Sequence, residues 1–176
     1  LGDVYKRQEE GLSGRTTVFP DPLHESMSGL DLIYSCLMSH EPVDLLIIML
    51  GTNDTKERLG ANAACIGIGM ERLVAKARSV EAWRDGRPNI LVISPPHIGD
   101  GLLDNPVGRP MGHGCPEKSR ELAAYYKQLA ERQGVAFLDA EGIGEFNLLD
   151  CMHLTRRGHR RLAGKLAVLV PELLNR

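Results

Sequence analysis

The sequence predicts an α/β fold in three layers, a parallel sheet with helices on both faces, and three observations carry that prediction. Three short runs are almost wholly apolar with no in/out alternation: Leu45–Leu50 (LLIIML), Ile90–Ile93 (ILVI) and Val135–Leu138 (VAFL). Runs of that kind belong to strands buried on both faces, as in parallel sheets. Each ends in polar or breaker residues, GTND, SPP and DAEG, and segments of helical periodicity separate the runs. Strands alternating with helices give an open parallel sheet with right-handed crossovers.

The elements follow in order. A short helix around Leu30–Ser39 precedes the first strand. Ile66, Met70, Leu73, Ala77 and Val80 recur at helical spacing between the first and second strands. Residues 97–116 (HIGDGLLDNPVGRPMGHGCP) form a Gly/Pro-rich loop, long enough either to shape a substrate site or to serve as a plain connector. Leu122, Tyr125 and Leu129 mark a helix after Pro116, a residue suited to a first helical turn. Thr155 can cap a last helix carrying Leu162, Leu166, Leu169 and Leu173, on which the basic run Arg156–Arg161 reads as a solvated face.

Composition narrows the function classes. With 43% apolar and 25% charged residues among 176, and a net charge of −2, the chain reads as one globular domain with a real core. The near-neutral balance offers no electrostatic case for nucleic acid, and no apolar run approaches the ~18 residues that span a membrane. Cys36, Cys65, Cys115 and Cys151 are dispersed without a CxxC, so idle or buried thiols, a reduced compartment and a cytoplasmic location are expected. No GxGxxG or GxxxxGK[ST] follows any strand, which argues against a nucleotide binder.

Folds of this class place their chemistry beyond the carboxyl ends of the strands. Asn53, in GTND, sits three residues past the first apolar run; its amide can donate to a developing oxyanion, or the loop can be an Asx turn that ends the strand. Asp150 and His153, in DCMH, are spaced so that the carboxylate can orient the imidazole as a general base; the alternative is a helix-entry turn with Asp150 as a polar cap. GLSGRTT brings Gly14, a residue that leaves its N–H free to meet an anion. Together Gly14, Asn53, Asp150 and His153 supply two oxyanion donors and a carboxylate–imidazole pair. The set contains no nucleophile, and needs no metal or organic cofactor.

EEGLSGRTT (9–17), PVDLLIIMLGTNDTK (42–56), ILVISPP (90–96) and DCMHLT (150–155), in that order and rough spacing, resemble the SGNH (GDSL) hydrolases, in particular their arylesterase or acyltransferase-like branch. The resemblance implies a flavodoxin-like sheet and a serine esterase or acyltransferase that works on small carboxylic esters through an acyl-enzyme. It casts Gly14 and Asn53 as oxyanion-hole donors, His153 as the base and Asp150 as its partner. Ile98 and Leu102 are expected to contact substrate. The family's serine lies in a Gly-Asp-Ser tens of residues before the glycine block. Here Gly2-Asp3-Val4 has valine at that place and stands too close, while Ser13 and Ser94 lack a strand–elbow–helix setting. DVYKRQ matches a translated transposon-library adapter, so residues 1–8 are expected to be an artefact, and residues 9–176 a single domain truncated of strand 1 and most of strand 2. That fragment is expected to be inactive and, with a strand edge exposed, aggregation-prone or molten; a homo-oligomer is a further expectation. A non-catalytic binding module that keeps the GTND and DxxH loops is the alternative.

Overall fold

The computed structural model describes residues 7–106 and 108–175, so the reading of residues 1–8 lies outside the described residues except at Arg7 and Gln8. Three parallel strands, β1 (Leu46–Ile48), β2 (Ile90–Ser94) and β3 (Ala136–Asp139), form one sheet in the order β1-β2-β3. Leu46, Ile47 and Ile48 pair with Ile90, Leu91 and Val92, and Leu91 to Ser94 pair in turn with Ala136 to Asp139. Four helices complete the domain: α1 (Gly29–Ser39), α2 (Ala63–Arg78), α3 (Cys115–Gln133) and α4 (Arg156–Leu174).

β2 shows why its run carries no alternation. All five of its residues are buried, because both faces of the strand are covered. Ile90 and Val92 join a core with α1, α2 and α3, through Ile33, Leu37, Ile66, Met70, Leu73, Leu122, Tyr126 and Leu129. Leu91 and Ile93 point the other way, into a smaller core with Leu138, Leu162 and Leu173 of β3 and α4. Each fully buried Leu or Ile contributes on the order of 1.5–3 kcal/mol. Three helices therefore cover one face and α4 the other, and the three-layer expectation holds.

Several details depart from the sequence reading. The first strand is shorter than its apolar run, and Ile47 and Met49 are exposed. Among the described residues, β1 has a ladder partner only on its β2 side. Tyr126, rather than Tyr125, is the fully buried tyrosine of α3, and Val80 is buried just past the end of α2. The loop 97–116 folds as two short 3-10 turns, Asp100–Asp104 and Arg109–Met111, around a small core of Ile98, Leu102, Met111 and Cys115. Arg156, Arg157, Arg160 and Arg161 are exposed on α4, with Arg157 and Arg161 each 3.8 Å from Glu145.

The loop after β1 is pinned from two directions. On one side Tyr126 Oη donates to the Leu50 carbonyl (3.0 Å) and Lys118 Nζ to that of Thr55 (2.8 Å). Between these contacts Gly51 has φ +127°, and a Cβ there would lie 2.5 Å from Tyr126 Oη, so only glycine fits. On the other side the wholly buried Asp54 accepts the Thr17 N–H (2.9 Å) and the Thr17 hydroxyl (2.5 Å). Burial pushes the Asp54 carboxyl up to about 6, against the Thr17 donors and Lys56, which favour the anion. A second clamp reinforces the first: the buried Asp21 receives Lys56 Nζ (2.9 Å) and both Arg58 Nε (2.9 Å) and Arg58 Nη2 (2.7 Å). The Arg58 guanidinium, ahead of Lys56 and against the cost of burial, holds the Asp21 carboxyl far below the usual carboxylate range.

Replacing Asp54 leaves a buried N–H and a buried hydroxyl of Thr17 without their acceptor. Asp54→Ala is expected to cost about 2–4 kcal/mol in urea unfolding, whereas a surface change such as Glu131→Ala is expected to stay within about 0.5 kcal/mol.

Candidate active site

All three strands are parallel, so the loops that follow them open at one edge of the sheet. GTND follows β1, SPPH follows β2 and the DCMH segment follows β3. The Thr17–Asp54 clamp adds a fourth segment to that edge. It ties the GLSGRTT loop to GTND with only two residues between Gly14 and Thr17, and with Asn53 next to Asp54. Shallow depressions around Trp83, lined by Arg78, Glu81 and Pro88, lie by the loop that enters β2, at the opposite edge.

Gly14 has φ +94°, a conformation open to glycine at little cost, and a Cβ there would crowd Met27 Sδ at 3.1 Å. Asn53 opens a single 3-10 turn, Asn53–Thr55, half-buried at the loop surface. Among the described residues neither the Gly14 N–H nor the Asn53 side-chain amide meets a hydrogen-bond partner. Both donors are thus available to a ligand oxygen. Next to Gly14, Arg15 keeps Nε and Nη1 buried with no partner among the described residues.

The DCMH segment is a compact hydrogen-bonded loop. Asp150 Oδ1 accepts the N–H groups of Met152 (3.0 Å) and His153 (2.8 Å), and Oδ2 lies 3.0 Å from His153 Nδ1. Burial raises the Asp150 carboxyl, but the backbone N–H groups of His153 and Met152 and the His153 and Asn147 side chains outweigh it and bring the group down to about 2. Asp150 is therefore an anion throughout the neutral range. An imidazole that donates its Nδ1–H to this anion presents a lone pair on Nε2, and the His153 side chain is 67% exposed.

Asn147, unnoticed in the sequence, organises the loop. Its Oδ1 accepts from the N–H groups of Leu149 (2.9 Å) and Asp150 (3.0 Å), and its Nδ2 donates to the His153 carbonyl (2.9 Å). The N-x-x-D spacing of an Asx turn is the signal that could have found it. Cys151 adopts φ +58°, uncommon for a residue with a Cβ, and the turn it makes returns His153 toward Asp150. Gly99 N–H donates to the Cys151 carbonyl (2.8 Å), docking the loop on the segment after β2. His97 also meets a carboxylate: its backbone N–H donates to Glu141 Oε2 (2.8 Å), and its Nδ1 lies 3.5 Å from the same oxygen.

The remaining sequence candidates fall elsewhere. Ile98 and Leu102, expected against substrate, are 2% and 0% exposed and pack into the small core of the 97–116 loop. Their apolar side chains plug the loop rather than line its open edge. Ser94 is fully buried and donates to Asp139 (2.9 Å), and Ser13 is exposed. Among the described residues, three metal-ligating side chains converge only at Glu10, Cys36 and His40.

With this geometry in view, the profile of the GDSL-like lipase/acylhydrolase family matches residues 1–161. The chain belongs to that family. This GDSL-like acylhydrolase is similar to the native aryl esterase of M. smegmatis, at 35% identity and a TM-score of 0.89, over 98% of this chain and 80% of that one. It is also similar to Est24, a carbohydrate acetylesterase from Sinorhizobium meliloti, at 36% identity and a TM-score of 0.85, over 94% and 77% of the two chains. No curated protein matches it. The GDSL-like acylhydrolase is accordingly an ester hydrolase of the SGNH type with the α/β architecture of that family.

The depressed Asp150 carboxyl makes a stability prediction with a definite sign. A carboxyl held below its ordinary value stabilises the fold above pH 3.8, and that contribution is lost as pH falls toward about 2. Urea unfolding of the wild type is expected to lose about 2 kcal/mol between about pH 5 and pH 2 beyond what Asp150→Ala loses over the same interval.

Proposed function

We propose that this acylhydrolase cleaves small carboxylic esters through an acyl-enzyme, with His153 as general base, Asp150 as its orienting partner, and Gly14 and Asn53 as the oxyanion donors. The observation that carries the proposal is the Asp150 Oδ2 to His153 Nδ1 contact of 3.0 Å, on a loop that follows a strand of the same parallel sheet as the Asn53 loop. The attacking hydroxyl is assigned to the serine of the family's Gly-Asp-Ser, a motif that none of the described residues supplies. His153 Nε2 takes the hydroxyl proton while the serine oxygen bonds to the ester carbon. The carbonyl electrons move onto oxygen, where the Gly14 N–H and the Asn53 amide receive them. The C–O bond to the alcohol then breaks, and the leaving oxygen collects the proton from Nε2. Water, or a second alcohol, repeats the sequence in reverse order and frees the acyl group. Each preorganised donor is worth about 3–4 kcal/mol in the transition state.

A short acyl group is the favoured substrate, in line with the carbohydrate acetylesterase among the similar structures. Leu148 and Leu149, 86% and 83% exposed directly before Asp150, are the apolar surface nearest the pair in sequence, and are assigned to the ester's apolar part.

The experiment measures p-nitrophenyl acetate hydrolysis by the 176-residue chain and by a version in which about 45 residues of a close relative, including its Gly-Asp-Ser, replace residues 1–8. The chain itself is expected to be near background, since losing the nucleophile of a triad costs a factor of roughly 10⁶ in kcat. The extended protein is expected to be active, to lose that activity on His153→Ala, and to fall by about 10²–10³ on Asn53→Ala. A folded but inert extension would favour the binding module, and turnover by the unextended chain that depends on Ser13 or Ser94 would overturn the nucleophile assignment. In the active version, Leu148→Ser combined with Leu149→Ser is expected to raise KM for p-nitrophenyl butyrate more than for the acetate.

A further inference from the structure

Away from the DCMH edge, Cys36 and His40 stand one helical turn apart at the end of α1, so their side chains rise from the same face. Glu10 comes to them from the segment ahead of the Gly14 loop, and its Oε1 lies 2.6 Å from His40 Nε2. One ligand atom from each residue, thiol sulfur, ring nitrogen and carboxylate oxygen, lies within 4.8 Å of the other two. Cys36 and His40 are half-buried, and Glu10 is exposed at the rim, which leaves an entry path from solvent.

The donor set is selective. Thiolate and imidazole favour a borderline-soft dication over Mg²⁺ or Ca²⁺, which take oxygen ligands. Zinc bonds of about 2.3 Å to sulfur, 2.0–2.1 Å to nitrogen and 2.0–2.2 Å to oxygen place tetrahedral ligand atoms roughly 3.5 Å from one another. The charges also close: one thiolate and one carboxylate neutralise the dication, and the neutral imidazole adds nothing. A neutral filled site tolerates the Arg15 guanidinium, whose charge reaches Cys36. In the empty site, burial and the Glu10 charge keep the thiol protonated. A dication relieves both, the S–H bond giving way to a metal–sulfur bond and the proton passing to solvent.

We propose that Cys36, His40 and Glu10 form a structural Zn²⁺ site, with water in the fourth position, that staples residues 9–11 to α1. It is separate from the Asp150–His153 pair. α1 begins beside Thr16 and Thr17 at the loop edge and runs to His40, six residues before β1 starts, so the ligands gather toward the amino ends of the strands. The filled site anchors the chain four residues ahead of Gly14.

The test uses the tag-free 176-residue chain, stripped with a chelator and dialysed against ZnCl₂, with bound metal counted by mass spectrometry and CoCl₂ as an optical probe. One equivalent of zinc per chain is expected, undiminished by excess Mg²⁺, together with a sulfur-to-cobalt charge-transfer band and a melting temperature that rises with free zinc. Cys36→Ser is expected to abolish the charge-transfer band, and His40→Gln to lower the bound zinc. Glu10→Gln, at an exposed position that leaves the fold intact, is expected to weaken zinc binding by about tenfold or more. Cys65→Ser and His153→Ala are expected to leave stoichiometry and affinity unchanged. Failure of the wild-type chain to retain zinc overturns the proposal. So does zinc binding that Glu10→Gln leaves at wild-type strength, or a cobalt spectrum that persists in Cys36→Ser.

Discussion

Asp54 receives the N–H and the hydroxyl of Thr17 across 37 residues of sequence, and that buried contact makes one surface of two otherwise separate loops. The carboxylate has no solvent exposure, so its acceptor capacity is spent inside the protein. The neighbouring Asn53 and the nearby Gly14 are positioned without using their own donors for the purpose. The Asp21 clamp with Lys56 and Arg58 repeats the arrangement a few residues further along both segments. A buried charge cluster of that kind is weak evidence for net stability, but it is costly to leave half-assembled, and so it favours a single register between the two loops.

The sheet contributes direction. Parallel strands send every following loop to the same edge, and the two-sided burial of β2 keeps that edge in a fixed relation to the helices. Tyr126 and Lys118 carry the rigidity of α3 into the loop after β1 through its carbonyls. The DCMH loop takes a different route. It depends chiefly on Asn147 and on its own backbone, with a hydrogen bond from Gly99 and the packing of Met152 on the Ile98–Leu102 core.

Much of this was readable from the sequence because it is local. The apolar runs reveal strands buried on two faces, and GTND and DCMH bring their chemistry within four residues each. The Asp150–His153 contact needs only an i,i+3 turn, which spacing alone can suggest. What escaped the sequence is what long-range packing decides. Nothing in HIGDGLLDN distinguishes a pocket-lining Leu102 from one that plugs its own loop, and Leu102 proves to have no exposure at all. Tyr125 and Tyr126 are adjacent on a helical period that admits either, and the Leu50 carbonyl selects Tyr126. The partner of Asp54 lies on a segment no periodicity connects to it.

The contrast between the two halves of the site bears on how the protein loses competence. His153 and Asp150 belong to one short lariat whose geometry is written into neighbouring residues. Gly14 and Asn53 come to the same edge only while distant segments remain docked through Thr17 and Asp54. Warming, mild denaturant or a destabilising substitution in the 15–28 segment is therefore expected to disperse the Gly14–Asn53 side first and to leave the Asp150–His153 contact intact. Such a species keeps native-like contacts around His153, so the separation of Gly14 from Asn53 is invisible to any probe placed on the histidine loop.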